Sequence, residues 1–198
     1  MLAAQADHDQ RHLRDGRVDD WDRLVISAET LAEAEGSVGF YDVSDLSTTA
    51  LRSKIRQLKT TGGVDLVIVD YLQLMHALQP DGKRFVIREQ EIAEISRSLK
   101  AAAKELDVPV LALAQLNRGL ELRSNKRPML ADLRESGSLE NDADVVLFIY
   151  RPDLYEETNN PDTKNMADII IAKHRNGPTG EERLRFDPGR THFYDLET

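Results

Sequence analysis

Three apolar runs rich in β-branched residues constrain the fold of this chain more than any other feature of its sequence. They are Val64–Asp70, Val108–Ala114 and Val145–Tyr150. Runs without polar alternation are typical of strands buried on both faces of a parallel sheet. Between the first two runs, residues 87–106 carry apolar side chains at helical spacing: Ile92, Ile95, Leu99, Ala102 and Leu106. Strands that alternate with helices predict an α/β fold with a mostly parallel, doubly wound sheet.

Shorter signals predict further elements before the first apolar run. Ser47 is a candidate N-cap for a helix that ends at Gly62. An acidic turn at residues 19–22 predicts an earlier helix that reaches Ala34. Between these helices, Val38–Val43 alternates in part, which favours a short strand.

The end of the chain predicts an antiparallel hairpin at one edge of the sheet. Two strand-like segments, Asp168–Ala172 and Glu182–Phe186, flank the turn sequence Asn176–Gly180. Glycine, proline and asparagine together in a short segment are typical of a tight connection. We therefore expect the last two predicted strands to lie side by side.

Composition excludes several classes of function. The 198 residues include 26 Lys and Arg against 35 Asp and Glu, a net charge of −9, which argues against a protein that coats nucleic acid but leaves room for a small basic site. Without cysteine, disulfides, thiolate zinc sites and cysteine nucleophiles are excluded, and the five histidines show no metal-ligand spacing. With no signal peptide and no run of about 18 apolar residues, we expect a soluble, cytoplasmic protein without a membrane partner.

Polar residues follow the predicted strands at the edge where α/β sheets bind ligands. Asp70 ends the first run, as in a strand whose carboxylate holds Mg²⁺ beside a nucleotide, and Gln115 follows the second, where its amide could bind a γ-phosphate. Lys173 and Arg175, two apart on a strand, project to one face and could bind one anion together. Taken singly, each residue is also explained as a strand-end cap, a loop residue or a solvated hairpin.

A polar stretch from Gln115 to Asp142 separates the second and third apolar runs. Within it, Arg134-Glu135-Ser136-Gly137-Ser138 combines an arginine with small residues whose backbone N–H groups can approach a phosphate chain. A salt-bridged surface loop is the competing interpretation, because acidic residues are nearly as frequent as basic ones in this stretch.

Taken together, six segments resemble the motifs of the bacterial replicative DNA helicases of the DnaB family, in the family's order. They are Ile68–Met75, Glu91–Lys100, Ala114–Arg118, Lys126–Pro128, Asp132–Ser138 and Lys173–Pro178. The resemblance covers essentially the whole chain and is tightest from residue 64 to 180. It implies a RecA-like P-loop NTPase core with ATP and Mg²⁺ as cofactors.

The resemblance also implies roles for single residues. Asp70 would coordinate Mg²⁺ through water, Gln115 would sense the γ-phosphate, and Lys173 and Arg175 would reach the neighbouring subunit's ATP as an arginine finger with its companion lysine. Another set, Arg134, Glu135 and Gly137, would line a channel and bind single-stranded DNA along its backbone. The implied assembly is a homo-hexamer, or a ring shared with intact helicase subunits, that unwinds DNA at the replication fork, with a helicase loader as a further partner.

The sequence departs from the family's pattern in one major respect. It contains no G-x-x-x-x-G-K-[ST] phosphate loop, and the superficially similar Ala77–Arg84 lies after the acidic strand, with Arg84 where a Mg²⁺-binding hydroxyl is required. We therefore expect the later part of a RecA-like domain, truncated or split, with residues 1–63 as a helical lead-in with the first strand and residues 64–187 running from the acidic strand to the finger hairpin.

The missing loop leads to an expectation about activity and leaves alternatives open. The isolated chain is expected to show little or no ATPase activity, although its family consists of enzymes. It could instead be a non-enzymatic module that lends an arginine finger to an intact ring, half of a split helicase, or an unstable product of a disrupted gene. Two smaller departures concern single segments. Phe85–Glu89 differs from the polar run that is usual there, which puts DNA contacts in that loop in doubt, and His174 stands where the family has glutamine, which leaves Lys173 and Arg175 usable.

Overall fold

The computed structural model describes residues 4, 6–17, 21–33, 38–79, 81–155 and 163–196; the side chains of residues 22, 30–33, 118 and 134–137 lie outside that description. The helices described here are α1 Gln10–Arg14, α2 Trp21–Glu33, α3 Thr48–Thr61, α4 Arg88–Leu106 and α5 Gly137–Asp142. The strands are β1 Leu46–Ser47, β2 Val67–Val69, β3 Met75–His76, β4 Val110–Ala112, β5 Val145–Tyr150, β6 Met166–His174, β7 Gly180–Asp187 and β8 His192–Tyr194.

The chain forms two compact units. The first unit contains Val43–Phe148 and Ile171–Thr179, and the second contains Met1–Asp42, Ile149–Ile170 and Gly180–Thr198. Among the described residues, no helix has both the length and the apolar character needed to cross a membrane.

Helix α3 of the first unit has the ends that its sequence predicts. The Ser47 hydroxyl accepts a hydrogen bond from the backbone N–H of Ala50 at 3.1 Å, and Gly62 occupies the C-cap position. Leu51 and Ile55, which are four residues apart, are both buried. The predicted cap, helix and terminating glycine are therefore confirmed.

Helix α4 supplies much of the core of the first unit. Glu89 and Glu91 lie in its first turn, where negative charge interacts favourably with the helix dipole, and it ends at Asp107 in the left-handed conformation with φ 48°. Its buried face is formed by Ile92, Ile95, Ser96, Leu99, Ala102 and Leu106. The helix predicted from the apolar spacing is confirmed.

Two pairs of strands in the first unit are parallel, as predicted. Strands β2 and β4 lie in register with Val67, Ile68 and Val69 opposite Val110, Leu111 and Ala112. Strands β1 and β3 form a second parallel pair. Because β2 and β4 run in the same direction, the residues that follow them meet at one edge of the sheet.

The prediction that the apolar strands are buried on both faces is wrong. Val69 is 5% exposed and belongs to the core cluster with α3 and α4, whereas Ile68 is 60% exposed. The same alternation occurs in β5, where Phe148 is buried and Leu147 is 51% exposed. Successive side chains on a strand project to opposite faces, and only one face of these strands is covered by described residues.

The end of the chain forms the predicted hairpin. Strands β6 and β7 are neighbours in a four-stranded sheet of order β5-β6-β7-β8, and the five residues Arg175–Thr179 that connect them are too few for a parallel crossover. In the second unit, β7 pairs antiparallel with β8, and the rings of Phe186 and Phe193 lie 4.8 Å apart. Strand β8 was not predicted.

One strand that the sequence predicts, before helix α3, is absent from the structure. Val38–Val43 has no strand pairing in the structure, and Phe40 is 85% exposed.

The second unit contains an unexpected buried charge. Asp168 on β6 is fully buried, and its carboxylate accepts hydrogen bonds from the guanidinium of Arg183 on β7 at 2.7 and 3.3 Å. The buried carboxylate is thus compensated by a paired, hydrogen-bonded charge.

Candidate functional site

Asp70 and Gln115 follow two paired parallel strands at the same edge of the first unit's sheet. Asp70 comes directly after Val69, the last residue of β2, and Gln115 lies three residues after the end of β4. The pairing continues past β4, because the N–H of Leu113 donates to the carbonyl of Val69 at 2.9 Å. Both Asp70 and Gln115 are exposed. The fold therefore leaves both polar groups accessible where parallel sheets bind ligands.

Gln73 makes a reciprocal contact with Gln115 that sequence reasoning missed. The Nε2 group of Gln73 donates to the backbone carbonyl of Gln115 at 3.1 Å, and the backbone N–H of Gln115 donates to Oε1 of Gln73 at 3.2 Å. We call this pair of hydrogen bonds the Gln73 clamp. Both partners lie inside segments that carry the family resemblance, but nothing in the sequence indicates that they touch.

Arg88 attaches the first turn of α4 to the segment that carries Gln73. Its guanidinium donates to the carbonyl of Gln73 at 2.9 Å and to that of Met75 at 3.3 Å, and it also pairs with Glu91. The Glu91 carboxylate in turn accepts the N–H of Ala77 at 3.1 Å. These contacts fix the backbone that follows β2 against the helix.

A cavity of about 260 Å³ opens beside the Gln73 clamp. Its polar lining includes Gln73, Arg88, Gln115, Asn117 and Asp132. Within this lining, the N–H of Asn117 donates to the carbonyl of Asp132 at 3.2 Å. The other candidate catalytic residues, Asp70, Lys173 and Arg175, are not part of its lining. The cavity is thus lined by Gln115 and the residues that support it, and not by the whole predicted site.

Lys173 and Arg175 reach the same backbone carbonyl at the end of α5. Lys173 Nζ donates to the carbonyl of Asn141 at 3.3 Å and to that of Glu140 at 2.5 Å, and Arg175 donates to that of Asn141 at 3.5 Å. The last carbonyls of a helix have no partner within it and attract cations. The two side chains therefore project to one face, as their spacing predicts.

Asp144 completes the surroundings of the two cations. Its carboxylate pairs with Arg175 at 3.0 Å and also with Lys100 on α4. The hydrogen bond from Lys100, with the positive charges of Arg175 and Lys173 nearby, lowers the pKa of Asp144 below its usual range, and partial desolvation opposes that shift. The Ser96 hydroxyl on α4 also donates to Asp142 at 2.7 Å, which holds the end of α5 in place.

The candidate DNA-binding residues fall largely outside the described structure. The backbone of residues 130–136 forms a 3₁₀ helix that continues into α5, but the side chains of Arg134 and Glu135, and the surroundings of Gly137, lie outside the description. Earlier in the same stretch, Arg123 pairs with Asp132 at 3.1 Å. The salt-bridged interpretation therefore holds for Arg123, while the three predicted DNA-binding residues remain a prediction.

The segment that superficially resembles a phosphate loop forms a turn. The N–H of Gln79 donates to the carbonyl of Lys83 at 2.8 Å, and the N–H of Gly82 donates to that of Gln79 at 2.9 Å. Leu78 and Arg84 form an antiparallel bridge around this turn. The prediction that this segment forms an ordinary turn is confirmed.

Parallel strands with an acidic residue and a glutamine at one edge, and helices packed against the sheet, agree with the expected RecA-like fold. One solved structure, described as an ATPase domain, matches 99% of this chain with a TM-score of 0.87 and 37% identity, and the match covers 68% of that chain. The chain belongs to the family described as DnaB-like helicase C terminal domain, whose profile matches residues 1–195.

Two further comparisons agree with this assignment. The replicative DNA helicase DnaB of Geobacillus stearothermophilus is 44% identical over 201 residues, a match that covers 100% of this chain and 42% of the relative. A solved DnaB-like replicative helicase, described with its interactions with primase, has a TM-score of 0.88 and 38% identity over 99% of this chain and 46% of that one. The chain therefore spans less than half the length of these two relatives.

Proposed function

We propose that this chain supplies the γ-phosphate sensor, the Mg²⁺-binding carboxylate and the arginine finger of a replicative DNA helicase. The observation that carries the proposal is the placement of Asp70 and Gln115 at one edge of the β2–β4 pair. A carboxylate and a neutral amide at this edge suit a cation and a phosphate, respectively. Within the proposal, residues 64–187 form the catalytic part and residues 1–63 lead into it.

The donor set fits Mg²⁺ that arrives with a nucleotide. In the described part of the chain, no group of three or more His, Asp or Glu side chains could hold a metal ion. Mg²⁺ in ATPase sites is held by one or two carboxylates while waters and phosphate oxygens complete its shell, so the exposed carboxylate of Asp70 would serve as the acidic ligand. Bound Mg²⁺ would supply positive charge beside the phosphates, and Asp70 would hold it through water.

Gln115 and the finger pair have separate roles in this proposal. The Gln115 carboxamide donates to or accepts from groups around the γ-phosphate without adding charge. Lys173 and Arg175 provide positive charge to the neighbouring subunit's transition state, and the carbonyls of α5 and the carboxylate of Asp144 hold them on one face until they engage.

The DNA and assembly roles rest on the family. We assign Arg134, Glu135 and Gly137 to single-stranded DNA because Asp132–Ser138 resembles a motif of the helicase family and combines an arginine with small residues that suit a phosphate chain. The family resemblance implies a hexameric ring, or a ring shared with intact helicase subunits, with a helicase loader as a partner. The solved DnaB-like helicase that is described with primase supports primase as a further partner. Action on DNA in the cytoplasm belongs to the same proposal.

A hybrid helicase tests the proposal. We define it as the G. stearothermophilus helicase in which this chain replaces the matched segment. We expect DNA-stimulated ATP hydrolysis and unwinding of a forked duplex. Asp70→Ala should lower ATP turnover by at least about 10²-fold because the Mg²⁺ ligand is lost. Asp65→Ala, an exposed aspartate before β2, is the matched control and should retain activity. Unchanged turnover in the Asp70→Ala hybrid would overturn the proposal.

A further inference from the structure

We propose that Gln73 is the positioning residue for Gln115, and that the Gln73 clamp sets the orientation of the sensor carboxamide. This inference rests on the proposed role of Gln115 as the γ-phosphate sensor. Its basis is the pair of hydrogen bonds, 3.1 and 3.2 Å long, that the side chain of Gln73 makes with the backbone of Gln115.

The geometry explains why one side chain can fix this backbone. Gln115 lies beyond the end of β4, so its N–H and carbonyl are outside the three paired positions of β2 and β4. A carboxamide carries an acceptor and a donor side by side, so it can bind the N–H and the C=O of one residue at the same time. Gln73 therefore replaces a missing strand partner at the residue whose direction matters.

The clamp is itself anchored by α4. Arg88 donates to the carbonyl of Gln73 at 2.9 Å, and the same guanidinium pairs with Glu91 one turn further along the helix. Gln73 is half-buried, whereas Gln115 is exposed. The supporting residue is thus held by the protein, and the supported residue presents its own side chain to the solvent side of the sheet edge.

A positioning role for Gln73 would affect the kinetics of the folded enzyme, whereas a purely structural role would affect only its stability. If the clamp only stabilised the fold, its loss would lower the free energy of unfolding without changing the kinetics of the folded enzyme. If it orients Gln115, its loss moves a group that acts on the γ-phosphate, and a displacement of about 1 Å can cost about 10²-fold in turnover. Ground-state binding of ATP depends on other contacts, so KM should change little.

The experiment compares Gln73→Met with the wild-type sequence in the hybrid helicase. Methionine keeps the length of the side chain and removes both hydrogen bonds. We expect kcat to fall by about tenfold or more, with KM for ATP within about twofold. Gln73→Glu, which keeps the acceptor for the N–H of Gln115 but loses the donor, should give an intermediate kcat. Gln79→Met is the matched control, because Gln79 donates to Arg84 in the neighbouring turn and makes no contact with Gln115.

A second measurement follows the clamp without catalysis. In the chain itself, amide hydrogen exchange at Gln115 should accelerate about five- to tenfold in Gln73→Met because the N–H loses its acceptor, and should not change in Gln79→Met. Unchanged exchange at Gln115, or a Gln73→Met hybrid with normal kcat, would overturn the inference. If Asp70→Ala also leaves turnover intact, the proposed function fails as well; if Asp70→Ala abolishes turnover while Gln73→Met does not affect it, only the positioning role fails.

Discussion

Asp144 contacts Arg175 through both its side chain and its backbone. The carboxylate lies 3.0 Å from the guanidinium, and the carbonyl accepts the N–H of Arg175 at 2.8 Å. Asp144 precedes β5 and Arg175 follows β6, so the contact joins the start of one strand to the end of another. The candidate finger is therefore attached at two points to a residue of its own chain.

Acid should remove the stabilising effect of the Asp144 carboxylate. Lys100, Arg175 and Lys173 lower the pKa of Asp144 below its ordinary value, so its contribution is present above that value and is lost as the pH falls through the lowered pKa. Because Asp144 is half exposed, we expect Asp144→Asn to lower Tm by only about 1–2 °C near neutral pH, and this difference should shrink as the pH falls below the ordinary aspartate pKa of about 3.9. Thermal melts over that pH range check this; a difference independent of pH would contradict it.

The core of the first unit depends on Ile95 of α4. This side chain has no exposed surface, so truncation leaves a cavity within the cluster that α4 forms with α3 and β2. We expect Ile95→Ala to lower the free energy of unfolding by about 2–5 kcal/mol in urea denaturation. Val86→Ala, at a side chain that is 95% exposed, is the control and should change it by less than about 0.5 kcal/mol. Equal effects of the two substitutions would show that α4 does not form this core.

The start of α3 depends on the hydroxyl of Ser47. Ser47→Ala removes the hydrogen bond to the N–H of Ala50 and should cost about 1 kcal/mol. Ser53→Ala, at an exposed position inside the same helix, should be neutral or slightly stabilising, because alanine has the higher helix propensity. Urea denaturation of both variants measures the difference, and a Ser47→Ala protein as stable as Ser53→Ala would rule out the cap.

The parts of the fold that the sequence predicts are those fixed by local interactions. Helices α3 and α4 follow from caps and apolar spacing within one segment, and both are confirmed. The strand predicted at Val38–Val43 is absent because a strand needs a partner, and the sequence of one segment does not show whether a partner lies beside it. The predicted burial of both strand faces is wrong at Ile68 for a related reason. A run of apolar residues does not show whether anything covers the second face of the strand.

The candidate site is also only partly predictable from the sequence. Asp70 and Gln115 can be placed at one sheet edge from the order of strands alone. The Gln73 clamp joins residues that are 42 positions apart, through a side chain of one and the backbone of the other. Neither periodicity nor motif spacing predicts a contact of this kind. Asp144 is likewise ordinary in the sequence, and its contact with Arg175 depends on how β5 and β6 are arranged.

Arg175, the candidate arginine finger, should affect turnover much more than its neighbour His174. In the hybrid helicase, Arg175→Ala should lower kcat by about 10³-fold, because the charge that it provides acts on the transition state. His174→Gln should stay within about twofold, since His174 is exposed and its ring lies 3.3 Å from the carbonyl of Pro178 in its own turn. Steady-state ATPase assays compare the two, and equal losses would assign both residues to folding rather than to catalysis.

Two inactive hybrids should complement each other if the finger acts on a neighbouring subunit. In a ring with heterologous interfaces, a subunit with Asp70→Ala still has its finger, and a subunit with Arg175→Ala still has its Mg²⁺ ligand. After random mixing, roughly a quarter of the interfaces would combine the intact finger of one with the intact Asp70 of the other. We therefore expect ATPase activity to appear on mixing and to be absent from either variant alone. Mixing Asp70→Ala with an Asp70→Ala, Arg175→Ala double variant is the control and should stay inactive. Failure of the first mixture, with mixed rings verified by native mass spectrometry, would show that Arg175 acts within its own subunit.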